Sequence, residues 1–598
     1  MIAKPNIIVS QDKDKRTRYN LLSAQLKNER TSFEPDWQTC NDYILSRRAR
    51  FFSSDANRGG RRNQKIIDNT GTLAVRTLRS GMMAGITSPA REWKRLTTQD
   101  PDLAEYSSVK RWLSVVNDRM TNIFLRSNLY NVLPLTYGDM GVFGIGGIIM
   151  EEDMDTVVRF YSVPIGSYWI ANDELLRVRI YMREFRMTVR QIVGKFGRVD
   201  YNTQKIDWSN ISDFVKTCWE RGEYEVWVNV CHIIHPNDEY EPSRIDSKYS
   251  GKYRSCYYET GNTGATSHNY LKKGDDFKYL REKGYGYFPG LFPRWEVTGE
   301  DVYATSFPGI DAIGDIKQLQ HGEKRSAQAV DKKIMPPMTG PTALRTQKAS
   351  ILSGDITYLD TREGQQGFRP THEVDFSIRE HEEKQQQVRL RIQRAFYEDL
   401  FLMLAQSDRR EITAREIDER HEEKLLALGP VLEQLNQDLL DPLIDNTFDF
   451  MLRQGEIPPP PEELMQEGNN NLKVEYVSIM AQAQKLVGIS SIERFAGFVT
   501  NIAAQTGQPQ ILRKVNIDQM IDVYGNRLGV DPEIIRSDDD VEAIEAQDQK
   551  AQQAMVMAEQ IKNAAGAARD LSQADLEKDS ALKRLVDQSQ AGQLAQGA

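Results

Sequence analysis

Residues 311–335, DAIGDIKQLQHGEKRSAQAVDKKIM, read as one helix with almost nothing to put in a core. Ile316, Leu319, Ala327, Val330 and Ile334 make a single thin stripe at helical spacing, and most of the rest is Lys, Arg, Gln, Asp and Glu. At 1.5 Å per residue such a helix is roughly 35 Å long, and it stops at Pro336-Pro337. A second helix of the same kind runs from Ile378 to Leu404, IREHEEKQQQVRLRIQRAFYEDLFLML, with Val388 and Ile392 on its stripe. Between them, residues 336–377 return to short strands and turns such as SGDITYLDTREGQQGF. A helix polar nearly all round is unstable unless something covers its stripe. Pairing the two helices as a hairpin covers part of it. Copies of the hairpin packed side by side cover the rest, and such head-to-tail contacts close into a ring when the rotation allows. Ile316, Leu319, Val330, Ile334, Val388 and Ile392 are therefore the candidate subunit contacts.

The flanking sequence is more conventional. Residues 16–50 read as helix, followed by a basic loop, SRRARFFSSDANRGGRR, which is either a solvated loop or a phosphate or subunit contact. IIDNTGTLAVRTLRSGMMAGITSP is an amphipathic helix stopped by Gly85 and Pro89, and residues 105–150 are again mostly helical. From about Thr156 to Val297 the period changes to two: TVVRFYS, SYWIAND, LLRVRIYMREF, YEVWVNVCHIIH and YRSCYYET read as strands. One short helix interrupts them, MTVRQIVGKFG, with Thr188 placed to cap it and Gly197 to end it. After the hairpin comes AQSDRRE, then a third long helix opened by a Thr413-x-x-Glu416 capping box and running to Gly455, with Pro430 and Pro442 expected to kink it. PPPP at 458–461 marks a boundary, NLKVEYV reads as a strand, and helices continue to about Ser537. Beyond Val541 the chain is rich in Ala, Gln, Glu and Lys. Its weak stripe of Val541, Ile544, Ala551, Ala558 and Ala565 suits either disorder or a helix formed only among copies.

Chemistry is hard to find in this chain. It has 598 residues, 39% hydrophobic and 27% charged, room for several domains with modest cores. Cys40, Cys218, Cys231 and Cys256 are too few and too scattered for a disulfide framework. The opening residues carry no apolar signal core. VLPLTYGDMGVFGIGGIIM contains Asp139 and many glycines, and reads as a buried close-packed segment, so no membrane partner is expected. There is no GxxxxGK[ST] loop, and GVFGIGG has the wrong glycine order for a dinucleotide fingerprint. In CHIIH, Cys231 and His232 point to opposite faces of a strand, and no second ligand pair follows with zinc-like spacing. EHEEK and DERHEEK are solvated helical faces, and no GxSxG elbow occurs. The expectation is a protein without enzymatic activity, cofactor, metal or catalytic residue.

Four stretches carry a resemblance. TAREIDERHEEKLLALGPVLEQLNQDLLDPLIDNTFDFMLRQGEIPPPP, DNTGTLAVRTLRSGMMAGITSPAREWKRL, YGDMGVFGIGGIIMEED and DAIGDIKQLQHGEKRSAQAVDKKIMPPM are similar to the portal proteins, or head-to-tail connectors, of short-tailed bacteriophages. The similarity covers most of residues 20–465, in the family's order. It implies an α+β, multidomain portal fold: a mixed α/β wing (1–310), stem helices (311–335 and 378–404) around a small β-rich clip (336–377), a channel loop (405–413), a wing-spanning helix (414–456), a helical crown (457–540), and a C-terminal helical barrel or disordered tail (541–598). It also implies a homo-oligomeric, dodecameric ring at one capsid vertex of the virion, assembled in the host cytoplasm, through which double-stranded DNA is packaged, retained and ejected. The implied partners are the terminase motor, tail adaptor proteins, and the capsid and scaffolding proteins. Candidate channel-lining or DNA-facing residues are Lys317, Lys324, Arg325 and Lys332 on the first stem helix, with Asp408, Arg409 and Arg410 in the loop. The net charge of −9 fits a channel that lets DNA slide, because each phosphate neutralised by Lys or Arg adds affinity; it also fits plain solubility. Two other readings compete: a structural virion protein without a pore, and a DNA-processing nuclease with a compact acidic metal cluster.

Overall fold

The computed structural model describes residues 12–51, 63–100, 103, 106–199, 206–261, 269–272, 275, 278–335, 338–339, 369–370, 377–406, 428–466, 472–476, 489–506, 515–516, 519–521, 523–524 and 538–572. The chain divides into two units, residues 1–99 with 111–491, and residues 100–110 with 492–598.

In chain order the first elements are α1 (Asp12–Thr31), α2 (Glu34–Tyr43), α3 (Thr70–Gly85), β1 (Lys94–Thr98), α4 (Ser107–Arg126) and α5 (Leu129–Phe143). Then come β2 (Ile148–Asp153), β3 (Val157–Ser162), β4 (Tyr168–Asn172), β5 (Val178–Thr188), α6 (Val189–Phe196), α7 (Asp213–Glu220), β6 (Trp227–Pro236), β7 (Tyr253–Glu259), β8 (Arg281–Tyr285) and β9 (Gly290–Leu291). The five stretches read as strands all form strands. Strand β2 and helix α7 were not anticipated, because β2 follows directly on a buried helix and α7 is only two turns long.

Strands β8, β7, β6, β5 and β4 make one antiparallel sheet in that order. Its alternation gives it two faces. Met182, Cys231, Ile233, Cys256 and Tyr258 receive Tyr19 and Leu26 of α1 on one side. On the other, Met187, Val228, Val230 and Tyr257 receive Ile192, Val193 and Phe196 of α6 and Val215 of α7. Thr188 opens α6 with a full capping box, exchanging bonds with Gln191. Gly197 closes it with extended backbone, and a Cβ there would stand 2.4 Å from the Val193 carbonyl oxygen.

The glycine-rich segment is a packing device. α5 is buried nearly all round, and a Cβ at Gly141 would lie 2.1 Å from Leu78 Cδ2 of α3. Gly144 ends the helix in the left-handed region (φ 78), where Phe307 closes in. Asp139, inside this segment, accepts from Arg48 Nε at 2.8 Å and Arg48 Nη2 at 2.6 Å. Among the described residues no helix is long and apolar enough to cross a membrane.

The second half of this unit holds α8 (Pro308–Ile334), α9 (Ile378–Ala395), α10 (Glu398–Gln406), α11 (Gly429–Leu435), α12 (Asp441–Gln454) and β10 (Leu472–Tyr476), which pairs antiparallel with β1. The second long helix was expected unbroken from Ile378 to Leu404; it breaks at Phe396–Tyr397. Tyr397 sits at φ 56, a left-handed conformation strained for a tyrosine. The turn buries Phe396 and drops Phe401 onto α3 at Gly81, where a Cβ would be 2.1 Å from the Phe401 ring. Pro430 lies in the first turn of α11, where a missing N–H costs nothing. Pro442 follows a π-helical turn, Asn436–Leu440, in which Asp441 N–H reaches five residues back to the Asn436 carbonyl. Asp438 of that turn takes Arg294 at 2.9 and 3.1 Å, a pair almost wholly buried. Gly455 ends α12 in the left-handed region. The Thr413–Glu416 capping box lies outside the described residues.

The other unit contains most of α13 (Ile489–Thr506) and all of α14 (Asp538–Ser572). At 35 residues α14 is about 50 Å long, and it leaves Met555, Val556, Met557 and Ile561 exposed.

Candidate functional site

Helices α8 and α9 form an antiparallel hairpin that differs from base to tip. At its base α8 starts with Phe307 extended and Pro308 in the first turn. Pro308, Gly309, Ala312, Ile316, Leu319 and Gln320 are buried. Gly309 lies so close to α5 that a Cβ would be 2.4 Å from the Val142 carbonyl oxygen, and Ile316 packs at Gly71 of α3. α9 approaches from the tip, and its buried residues begin at Gln385 and continue with Val388 and Ile392.

A polar clamp ties the two helices to the segment before α3. Gln320 Oε1 accepts from Ile67 N at 2.6 Å and Asp68 N at 2.8 Å, while its Nε2 donates to the Asp68 carbonyl at 2.7 Å. Arg389 of α9 donates from Nε to Asp68 Oδ2 at 3.0 Å and from Nη2 to Glu323 of α8. Asp68 also accepts from Thr70 N at 2.7 Å, closing the start of α3. Burial pushes the Asp68 carboxyl up, but its bonds from Thr70 and Arg389 outweigh that and hold it below the usual carboxylate range. Arg391 pairs with Asp315 at 2.8 Å, and His381 Nε2 lies 3.3 Å from the Gly322 carbonyl. Gln385 and Glu323 meet across the same seam once the amide is turned, with Nε2 2.9 Å from Glu323 Oε1.

Beyond Gln320 no residue of α8 is buried. Val330 is half-buried, Ile334 is 73% exposed and Met335 69%. The outer half of α8 carries Lys324, Arg325, Lys332 and Lys333, all exposed, and the last two lie in its final turn, where cations suit the negative end of the helix dipole. The start of α9 beside it carries exposed Glu380, Glu382 and Glu383.

These positions redistribute the expected contact residues. Ile316, Leu319, Val388 and Ile392 are covered by their own chain, because the hairpin base docks on α3 and α5, and so they are not free to meet a neighbouring copy. Val330 and Ile334 keep their apolar surface. Of the expected cations, Lys324, Arg325 and Lys332 are exposed along the outer half, while Lys317 sits at the base with its Nζ 5.8 Å from the Tyr43 ring centre. Asp408, Arg409 and Arg410, the basic loop near Arg58–Arg62, and nearly all of residues 336–377 lie outside the described residues. Within 336–377, Met338–Thr339 pairs antiparallel with Arg369–Pro370. Cys231 and His232 do face opposite sides of the sheet: Cys231 lies under α1, and His232 stacks on Tyr257 at 3.8 Å. The clamp of Asp68, Gln320, Glu323 and Arg389 was not foreseen. Its one trace in the sequence is glutamine on the apolar stripe: Gln320 beside Leu319, and Gln385 three residues before Val388.

A sequence model described as "Bacteriophage head to tail connecting protein" matches residues 16–535. The chain belongs to that family. The portal protein of Salmonella phage epsilon15 is 44% identical over 573 residues, covering 95% of this chain and 98% of that one. The probable portal protein of Bordetella phage BPP-1 is 41% identical over 560 residues, covering 94% and 96%. The match to the connector family takes in every element of the hairpin and its docking site.

Proposed function

We propose that this connector is a portal subunit whose copies close into a ring-shaped channel at one capsid vertex, through which double-stranded DNA is packaged, held and ejected. The single observation that carries the reading is the bare outer half of α8. Its stripe is incompletely covered by the described residues, Val330 being half-buried and Ile334 exposed, and a neighbouring hairpin supplies what is lacking. In this assignment residues 1–310 are the wing, 311–335 and 378–404 the stem, 336–377 the clip, 405–413 the channel loop, 414–456 the wing-spanning helix, 457–540 the crown, and 541–598 an extension of it. The ring is a dodecamer, its clip meets the terminase motor and then the tail adaptors, and capsid and scaffolding proteins surround the wing. Lys317, Lys324, Arg325 and Lys332, with Asp408, Arg409 and Arg410, are its DNA-facing charges. The test is Ile334→Asp. An exposed position tolerates the change within about 0.5 kcal/mol in the single chain, whereas a covered interface does not. Sedimentation and negative-stain images should find folded monomers in place of rings, and intact rings would remove the stem assignment.

A further inference from the structure

One row of the five-stranded sheet is built from unusual residues. Tyr168, Arg183, His232, Tyr257 and Arg281 stand opposite one another across β4, β5, β6, β7 and β8, so their side chains share a face. That face is apolar on either side of the row. Tyr181 and Phe292 stack on one side (ring centres 5.5 Å apart), and the cluster of Met187, Val230 and Phe196 fills the other.

Two guanidiniums on such a face would ordinarily be matched by acids. Elsewhere in this chain they are: Arg254 has Glu239 at 2.7 Å and Glu282 at 3.1 Å, and Arg294 has Asp438. In the row they are not. Lys195 of α6 reaches over the same place, its Nζ 5.3 Å from the Tyr257 ring centre, with Arg281 Cζ at 4.8 Å from that ring. Both also lie against Phe196, at 5.7 and 5.8 Å. Among the described residues, none of Arg183, Lys195 and Arg281 has a carboxylate within ion-pair distance. The Nε atoms of Arg183 and Arg281 are buried with no hydrogen-bond partner among those residues.

The three cations feel one another. Burial, then Arg281, lowers the pKa of the Lys195 ammonium, with Glu151 opposing. Burial, then Arg281, Lys195 and Arg183, pushes His232 well below its ordinary range and keeps it neutral, with its Nε2 2.9 Å from Ser255 Oγ. Lys195 is exposed and both arginines are partly so, which leaves the cluster open to solvent.

We infer that Arg183, Lys195 and Arg281 form an oxyanion site of phosphate type on this sheet, floored by Tyr257 and Phe196. A multiply charged anion offsets three mutually repelling cations better than one carboxylate can, and forked guanidinium donors match its oxygens. The phosphate belongs either to free phosphate or to a DNA backbone. The site does not depend on the ring proposed above.

The experiment uses the purified full chain and inorganic phosphate, titrated at constant ionic strength against chloride and against glutamate, with the unfolding midpoint as readout. Phosphate should raise the midpoint saturably where chloride and glutamate do not. Lys195→Gln and Arg281→Gln should each weaken the apparent affinity by about tenfold, while Arg190→Gln on the same helix leaves it unchanged. Lys195 is exposed, so its variant keeps the test sound even if Arg281→Gln folds poorly. A short duplex that competes with phosphate assigns the site to a DNA backbone; one that does not assigns it to free phosphate. A flat response to phosphate, an equal response to glutamate, or an unaltered response in Lys195→Gln would overturn the inference.

Discussion

From Pro308 to Gln320, α8 lies against α2, α3 and α5, with its apolar residues buried and its glutamine bonded to backbone. From His321 to Ile334 no residue of the same helix is more than partly buried. Both halves carry the same kind of stripe, and both are mostly polar. What differs is the surroundings: glycines let the inner half come close to other helices, Gly71 of α3 beside Ile316 and its own Gly309 against Val142 of α5. The outer half has no such partner among the described residues. An apolar stripe alone therefore does not say whether its cover is internal or a second copy. The residues facing it do.

The largest effect that separates the halves is a charge placed on each. Ile392→Asp puts a carboxylate where the side chain is fully buried, at a cost on the order of 5 kcal/mol. The expected result is loss of the folded chain itself, seen as collapse of cooperative thermal unfolding. Ile334→Asp should spare folding and remove only assembly. If Ile392→Asp instead gives well-folded monomers, the base of the hairpin is not packed as described.

Removing the clamp is the next test. Arg389→Gln leaves Asp68 and Glu323 without their cation in a half-buried seam and should destabilise the chain by about 1–3 kcal/mol. The pH dependence sharpens it. Asp68 is held below its ordinary value, so its stabilisation is present above the unfolded pKa and is lost as the pH falls through the folded one. Without Arg389, only the bonds from Thr70 oppose burial, and acid destabilisation should begin at a higher pH. Urea unfolding between roughly pH 3 and pH 6 measures this. An acid limb identical to that of the native chain would mean that Arg389 does not hold Asp68.

Much of the fold was legible because it follows local rules. Period two marked β3 to β7, the Thr188 box marked α6, and the thin stripes marked α8 and α9. The break at Tyr397 was not legible: no glycine or proline announces it, and the cause is the packing of Phe396 and Phe401 on α3. Pro442 gave a visible sign of irregularity, which takes the form of a π-turn held by Arg294 and Asp438. The clamp and the cationic row were hidden for a common reason. Asp68 and Arg389 are 321 residues apart, and the row exists only in the register of four strand pairs. Neither separation nor register is written in a local pattern. The stem contacts were half-legible: periodicity found the stripe, but the docking of the base decided which of its residues remain free.

The smallest expected effect concerns the exposed cations of the outer half. Lys324 and Arg325 are exposed, and changing both to Gln should alter the stability of the single chain by no more than about 0.5 kcal/mol. Their removal should register only in the assembled ring. If they face the channel, each cation contributes to phosphate contact through counterion release, and the double variant should bind a short duplex more weakly, with a shallower dependence of log affinity on log salt, by about 0.9 for each lost contact. Anisotropy of a labelled duplex over a salt series reads that slope directly. If they instead meet Glu380, Glu382 or Glu383 of a neighbouring copy, the duplex slope stays as it was and the rings come apart at lower salt, since exposed pairs contribute only about 0.2–1 kcal/mol each and are screened. The channel reading expects the first pattern. An unaltered duplex slope, with rings newly sensitive to salt, would move these cations from the bore of the channel to the seam between staves.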